Sequence, residues 1–204
     1  MLIIHDGHEP TIHPTAWIAP NAIISGDVTV GARSRVLWGA VLTAESRASL
    51  TIGAECVVME QAVLRASGQF NLRLGDRVLV GPHAYLTGCE IESHSFLATG
   101  TMVFNDARLG VGCVVALGGK VHIRSELPAG TWVPIGHIAY GQPAIIYPPN
   151  QAQEVHTLIN KDGGFLHYVF GVSAEDDRLA MMDAAMPKYS RMLERHQGDQ
   201  IIES

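Results

Sequence analysis

Chemistry in this chain has to be sought among few side chains: ten histidines, three cysteines, 14 basic and 20 acidic residues. His5, His8 and His13 share an irregular N-terminal segment and together suggest metal ligation, but their spacing is not that of a known metal motif. His94 and His122 are candidate general bases towards a hydroxyl or amine, with a solvated histidine as the plainer account of each. His156 and His167 have no visible partners. Arg65, preceded in the chain by Glu45 and Glu60, offers a different chemistry. A guanidinium grips a carboxylate by two parallel hydrogen bonds, whether that carboxylate belongs to the protein or to a ligand. His83 would then serve as acid or base beside it.

The cysteines read as structural. Cys56, Cys89 and Cys113 each lie two residues before an aliphatic residue, Val58, Ile91 and Val115. The same offset elsewhere holds Ala16, Ala22, Ala40, Ala62 and Ala84. Strand residues two apart share a face, so these are small inward fillers rather than redox or metal groups.

The elements that position these groups follow from a six-residue period. Aliphatic residues recur at Ile12, Ile18, Ile24, Val30, Val36 and Leu42, then at Ile52, Val58 and Leu64, then at Leu74, Val80 and Leu86, and finally from Ile91 to Val133. Six fits neither an isolated amphipathic helix nor one long strand. It fits a chain that turns a corner at every hexad, three hexads making one coil of a parallel β-helix. Coils then start at Ile12, Val30, Ile52, Leu74, Ile91 and Leu109, with a seventh from Leu127. The register breaks only after Leu42, Leu64 and Leu86, each time behind the third hexad. Every irregularity therefore falls on one edge, including the inserted stretches 43–49 and 65–71, and irregular edges on regular scaffolds are where function collects. On this ruler Glu60 shares a corner with Pro82 one coil later, and Arg65 stacks with Thr87 on another. Gly31, Gly53, Gly75, Gly81, Gly110 and Gly136 mark corners that need either φ > 0 or close backbone packing.

The hexads fade near Pro134, which divides the chain into a β-helix over 1–146 and a helical extension over 147–204. The extension predicts a short helix from Asn150 to Asn160 and a break at Gly163-Gly164. A second helix would be N-capped by Ser173, with Glu175, Asp176 and Asp177 in its first turn, and run to His196. Its stripe of Leu179, Met182, Met186, Tyr189 and Leu193, interrupted by Pro187, should pack on the prism or on a neighbouring subunit.

Composition bounds the function. Hydrophobic residues make up 47%, charged residues 17% and aromatic residues 6%, a globular balance suited to a narrow aliphatic interior. A net charge of −6 without a basic run argues against a nucleic-acid partner. No apolar run reaches membrane-spanning length and no signal-peptide pattern opens the chain, so the expected setting is cytoplasmic, with no membrane partner.

The hexads resemble those of the hexapeptide-repeat superfamily, and left-handed coiling is implied by that resemblance. The expected fold is all-β with an α appendage: a left-handed parallel β-helix of about six to seven coils, followed by C-terminal α-helices. Within the superfamily the order of motifs resembles the γ-class carbonic anhydrase-like proteins. The segments that carry this are Val36-Leu37-Trp38-Gly39-Ala40-Val41-Leu42, Val80-Gly81-Pro82-His83-Ala84-Tyr85-Leu86-Thr87-Gly88-Cys89, Leu127-Pro128-Ala129-Gly130 and Gly141-Gln142-Pro143-Ala144. The likeness spans roughly residues 10 to 146.

That resemblance implies a homotrimer with zinc held by three histidines at a subunit boundary. The three positions fall here on Arg65, Pro82 and Thr87. The family's arginine–aspartate pair falls on Thr43 and Glu45, and the glutamine that orients zinc-bound water falls on Met59. A catalytic zinc needs three protein donors of histidine, cysteine or carboxylate type. Arginine stays protonated, proline has no side-chain donor and threonine is a poor ligand. The expectation is therefore no cofactor, with zinc admitted only through a non-standard site. In a trimer the two corners would meet from different chains, making Glu45, Glu60, Arg65, His83 and Thr87 the candidate interface pocket. Such a pocket is either a charge pair standing where the metal stood or a site for a small anion. The resulting expectation is a homotrimeric γ-carbonic anhydrase-like protein without zinc-dependent activity, its inter-subunit pocket put to another use. An acyltransferase of the same superfamily using acetyl-CoA is the first alternative. Against it, no long loop leaves the coils and no lysine follows Gly141-Gln142-Pro143-Ala144. A hydratase with a metal site shifted to His83 and carboxylates is the second.

Overall fold

The structure, a computed structural model, describes residues 1–45 and 47–202; Ser46, in the first inserted stretch, lies outside the described residues. Each hexad contributes a short strand and a corner, and three sheets result, parallel from coil to coil. One sheet has ten strands and the other two have seven each. Leu42, Leu64 and Leu86 stack in register on the first wall, Ile52, Leu74 and Ile91 on the second, and Val36, Val58 and Val80 on the third. All nine are fully buried, each burial contributing about 1.5–3 kcal/mol. Cys56, Cys89 and Cys113 are buried among them as small fillers, and burial pushes all three thiols up from their ordinary pKa.

The outward residues distinguish the three faces. The second wall shows a polar ladder of Thr11, Thr29, Thr51, Arg73, Glu90, Arg108 and Glu126. The third shows Trp17, Arg35, Val57, Leu79, Phe96, Val114 and Trp132, a ladder apolar at every position but Arg35, with Trp17, Phe96 and Trp132 exposed. The first wall, the ten-stranded sheet, lies under the C-terminal segment.

Two kinds of glycine hold the corners. Gly53 has ordinary φ, but a Cβ there would stand 2.6 Å from the Gly75 carbonyl oxygen of the next coil, so close stacking demands glycine. Gly136 instead adopts φ of +67°, in the left-handed region. Along the same edge Gln61 and His83 take that conformation at φ of +57° and +56°.

The sheet reaches further than the hexads predicted. Leu2–Ile4 adds a parallel strand before the first hexad. At the far end Ala144–Tyr147 folds back antiparallel on Ile138–Gly141. At the near end Gln200–Ile202 pairs antiparallel with Leu2–Ile4, so the chain's last described residues close the edge beside its first.

Between these ends the C-terminal segment runs the length of the prism on the chain's own first wall. Helix α1 spans Ala152–Lys161, close to the expected element. Helix α2, Gly164–Phe170, was not anticipated and follows the Gly163-Gly164 break directly. Helix α3 spans Arg178–Leu193, and its N-cap is Asp177 rather than Ser173. The Asp177 carboxylate accepts the Ala180 N–H at 2.9 Å, leaving Glu175 and Asp176 outside the helix. Leu179 and Met186 of the expected stripe are exposed; Ala185 is buried and Tyr189 faces the prism. Pro187 lies inside α3 without ending it.

Candidate functional site

The inserted stretches and the C-terminal segment meet on the irregular edge. Strands Val41–Ala44, Val63–Ala66 and Tyr85–Thr87 put Thr43, Arg65 and Thr87 in one outward column. Arg65 Nη2 donates to Glu45 Oε2 at 2.7 Å. The carboxylate side chain is only 9% exposed and the guanidinium 24%, so the pair is largely removed from water. The guanidinium carbon lies 5.7 Å from the ring centroid of Tyr189 on α3. Burial works against the charge on Arg65, but Glu45 and Tyr189 outweigh it and hold the group cationic. Its Nε is buried without a partner among the described residues.

A cavity of about 190 Å³ opens beside this guanidinium. Its polar lining is Arg65, Thr87, Asn105 and Ser67, and its apolar wall includes Phe104, Phe165 and Phe170. Phe104 and Phe165 meet edge to face at 6.1 Å between centroids, joining the coil to α2. Phe70, from the second inserted stretch, packs 5.6 Å from Tyr168 of α2. The irregular edge thus serves as the seat for the C-terminal helices, and those helices roof the cavity.

Of the five expected pocket residues, three lie together: Glu45, Arg65 and Thr87. Glu60 and His83 sit on the next corner, where the His83 N–H donates to the Glu60 carbonyl oxygen at 3.1 Å. His83 is exposed there and lines none of the cavity beside Arg65. All five meet only if a second chain brings its corner across. His94 occupies an exposed left-handed corner. His122 is lodged between Phe104 and Tyr140, ring centroids 5.8 and 5.5 Å away, with its Nδ1 buried and without a partner among the described residues. Burial lowers its pKa, so His122 is a neutral member of an aromatic stack.

The donor set does not suit the zinc that the family resemblance implies. Arg65 is committed to Glu45, Thr87 is buried under the helices and Pro82 offers no donor. The sequence reading missed Tyr189, Asn105, Phe165 and Phe170, because nothing in the hexads says where the tail docks.

The fold and its hexads define a hexapeptide-repeat parallel β-helix protein. The chain is 29% identical over 176 residues to the carboxysome assembly protein CcmM of Nostoc, a match covering 81% of this chain and 30% of that protein. It is 27% identical over 140 residues to the mitochondrial γ carbonic anhydrase 1 of Arabidopsis thaliana, covering 66% of this chain and 49% of that one. The chain therefore spans half or less of these curated relatives. A solved hexapeptide transferase family protein from Anaplasma phagocytophilum shares the fold, with a TM-score of 0.50 at 19% identity over 97% of each chain. No protein-family model matches. By these likenesses the chain is similar to γ-carbonic anhydrase-like proteins built on hexapeptide repeats.

Proposed function

We propose that this protein is a γ-carbonic anhydrase-like homotrimer that binds a small organic anion at Arg65 instead of hydrating carbon dioxide on zinc there. The observation that carries this is the guanidinium held by Glu45 and Tyr189 in the lining of a cavity that also bears polar groups and phenylalanines. A guanidinium has five donors, and one hydrogen bond to Glu45 leaves others for a carboxylate. The aromatic wall favours a carboxylate with a short apolar tail, and a cavity of about 190 Å³ limits its size. Glu60 and His83 join the site from a neighbouring chain. The exposed Trp17, Phe96 and Trp132 of the third wall support that assembly, because an apolar ladder of this extent suits an interface.

Calorimetry with short aliphatic and aromatic carboxylates tests this. Binding to the unsubstituted chain, lost in Arg65→Gln, is expected. Sedimentation should show a trimer, and carbon dioxide hydration should stay at the uncatalysed rate. Binding of acetyl-CoA without any carboxylate binding would favour the acyltransferase instead. Carbon dioxide hydration that depends on His83 would favour the shifted-metal hydratase.

A further inference from the structure

A second cluster lies at the opposite end of the C-terminal segment, where it returns to the first coil. His5 Nδ1 stands 2.6 Å from Asp199 Oδ1, and His196 Nδ1 stands 2.9 Å from Asp199 Oδ2. The two imidazoles stack at 4.4 Å between centroids, so both nitrogens converge on one carboxylate. The ligand atoms of His5, His196 and Asp199 all lie within 4.8 Å of one another. His5 is 3% exposed, walled in by the first coil and the returning tail.

We propose that His5, His196 and Asp199 bind a divalent transition-metal ion of the zinc class, which fastens the C-terminal segment to the first coil. Two imidazoles and a carboxylate are a donor set zinc accepts, with one position left for water. A tetrahedral ion with bonds of about 2.0–2.1 Å holds its ligand atoms about 3.4 Å apart. The two histidine–carboxylate spacings need to open by less than about 1 Å to admit one, with all three ligand atoms already within 4.8 Å of one another.

Two features of the surroundings fit this ion. A histidine that ligates through one nitrogen usually donates its other N–H to a carboxylate. Nε2 of His196 faces Glu45 Oε1 at 4.0 Å, and Glu45 is held from its other side by Arg65. Charge also favours a cation. Among the described residues the ion pairs at the cluster involve three carboxylates, Asp6, Glu45 and Asp199, and two guanidinium groups, Arg65 on Glu45 and Arg195 on Asp6. Asp199 is thus paired with imidazoles and with no guanidinium among the described residues, and in this partly buried setting a dication beside its carboxylate is stabilised. This site is distinct from the zinc position implied by the family resemblance, which falls on Arg65, Pro82 and Thr87.

The test uses the untagged full chain, stripped with chelator and titrated with zinc against a chromophoric competitor. One zinc per chain is expected, together with a rise in melting temperature. His196→Gln and Asp199→Asn should each weaken binding at least tenfold, while His83→Ala should leave it unchanged. Zinc-edge X-ray absorption of the unsubstituted chain should show two imidazoles and oxygen ligands, which keeps the test independent of how the variants fold. Absence of stoichiometric zinc would overturn the proposal. So would a sulfur-containing ligand shell, or zinc held as tightly by His196→Gln and Asp199→Asn as by the unsubstituted chain. None of these readouts depends on anion binding at Arg65.

Discussion

Leu64 and Arg65 are neighbours on one strand and belong to two different kinds of structure. Leu64 points into the prism, where the coils above and below place Leu42 and Leu86 in the same spot. Arg65 points onto the irregular edge, where its column reads Thr43, Arg65, Thr87 and a long cation stands between two small hydroxyl residues. The interior repeats because every coil must fill the same triangular section at close packing. The edge carries no such constraint, since its partners are an inserted stretch and a docked tail. A β-helix of this kind can therefore exchange a metal-binding corner for an ion pair while its core stays as it was.

If that contrast holds, Leu64→Ala should be the costliest single change. It empties a fully buried site with coils stacked on both sides, at about 3–5 kcal/mol in urea unfolding. A cost below about 1 kcal/mol would mean the columns are more tolerant than their repetition implies.

Arg65→Ala comes next. It strands Glu45, whose side chain is 9% exposed, and an unpaired buried carboxylate costs about 2–4 kcal/mol. The double variant Arg65→Met with Glu45→Gln should recover much of that loss, because it removes the orphaned charge. Failure to recover would assign Arg65 a packing role against Tyr189 instead.

His122 gives a smaller, pH-dependent effect. Burial depresses its pKa in the folded chain, so the unfolded chain takes up the proton first. The neutral form's stability is fully present above the ordinary value of about 6.5 and is lost as pH falls through the folded value. Melting temperatures between pH 8 and pH 5 should therefore fall less steeply in His122→Phe, which keeps the stack with Phe104 and Tyr140. An unchanged slope would locate the pH dependence elsewhere.

The smallest effect belongs to the bare corner between the second and third walls, where Glu55 pairs with Arg33 at 2.8 Å and Arg77 at 2.7 Å. The hydrogen bond and charge of Arg33, with the charge of Arg77, hold the Glu55 carboxyl below its usual value. Its contribution is present above about pH 4.5 and disappears as pH falls through the folded value. Glu55→Gln should flatten stability slightly in that acid range, and added salt should erase the difference.

Much of this molecule was legible in its residues. The hexads located the inward columns, the three buried cysteines and the single edge bearing both inserted stretches. Mapping that edge also located Arg65 and Thr87 at one corner, and Glu60 with Pro82 and His83 at another. The tail was read less well. Asp177 and Ser173 are both good caps, so helix capping alone did not choose between them. Helix α2 is seven residues long, too short for a periodic signal.

What the chain determined alone is therefore everything that recurs at a fixed interval, because stacked coils touch through residues a set number of positions apart. Tertiary structure decided the contacts that do not recur. His5 meets Asp199 across 194 positions, Tyr168 meets Asp106 across 62, and Tyr189 closes over Arg65. Those contacts follow from where an amphipathic tail finds a complementary face, which depends on the whole outer surface and not on any local spacing. Both candidate sites, the cavity at Arg65 and the cluster at His5, are completed by that docking.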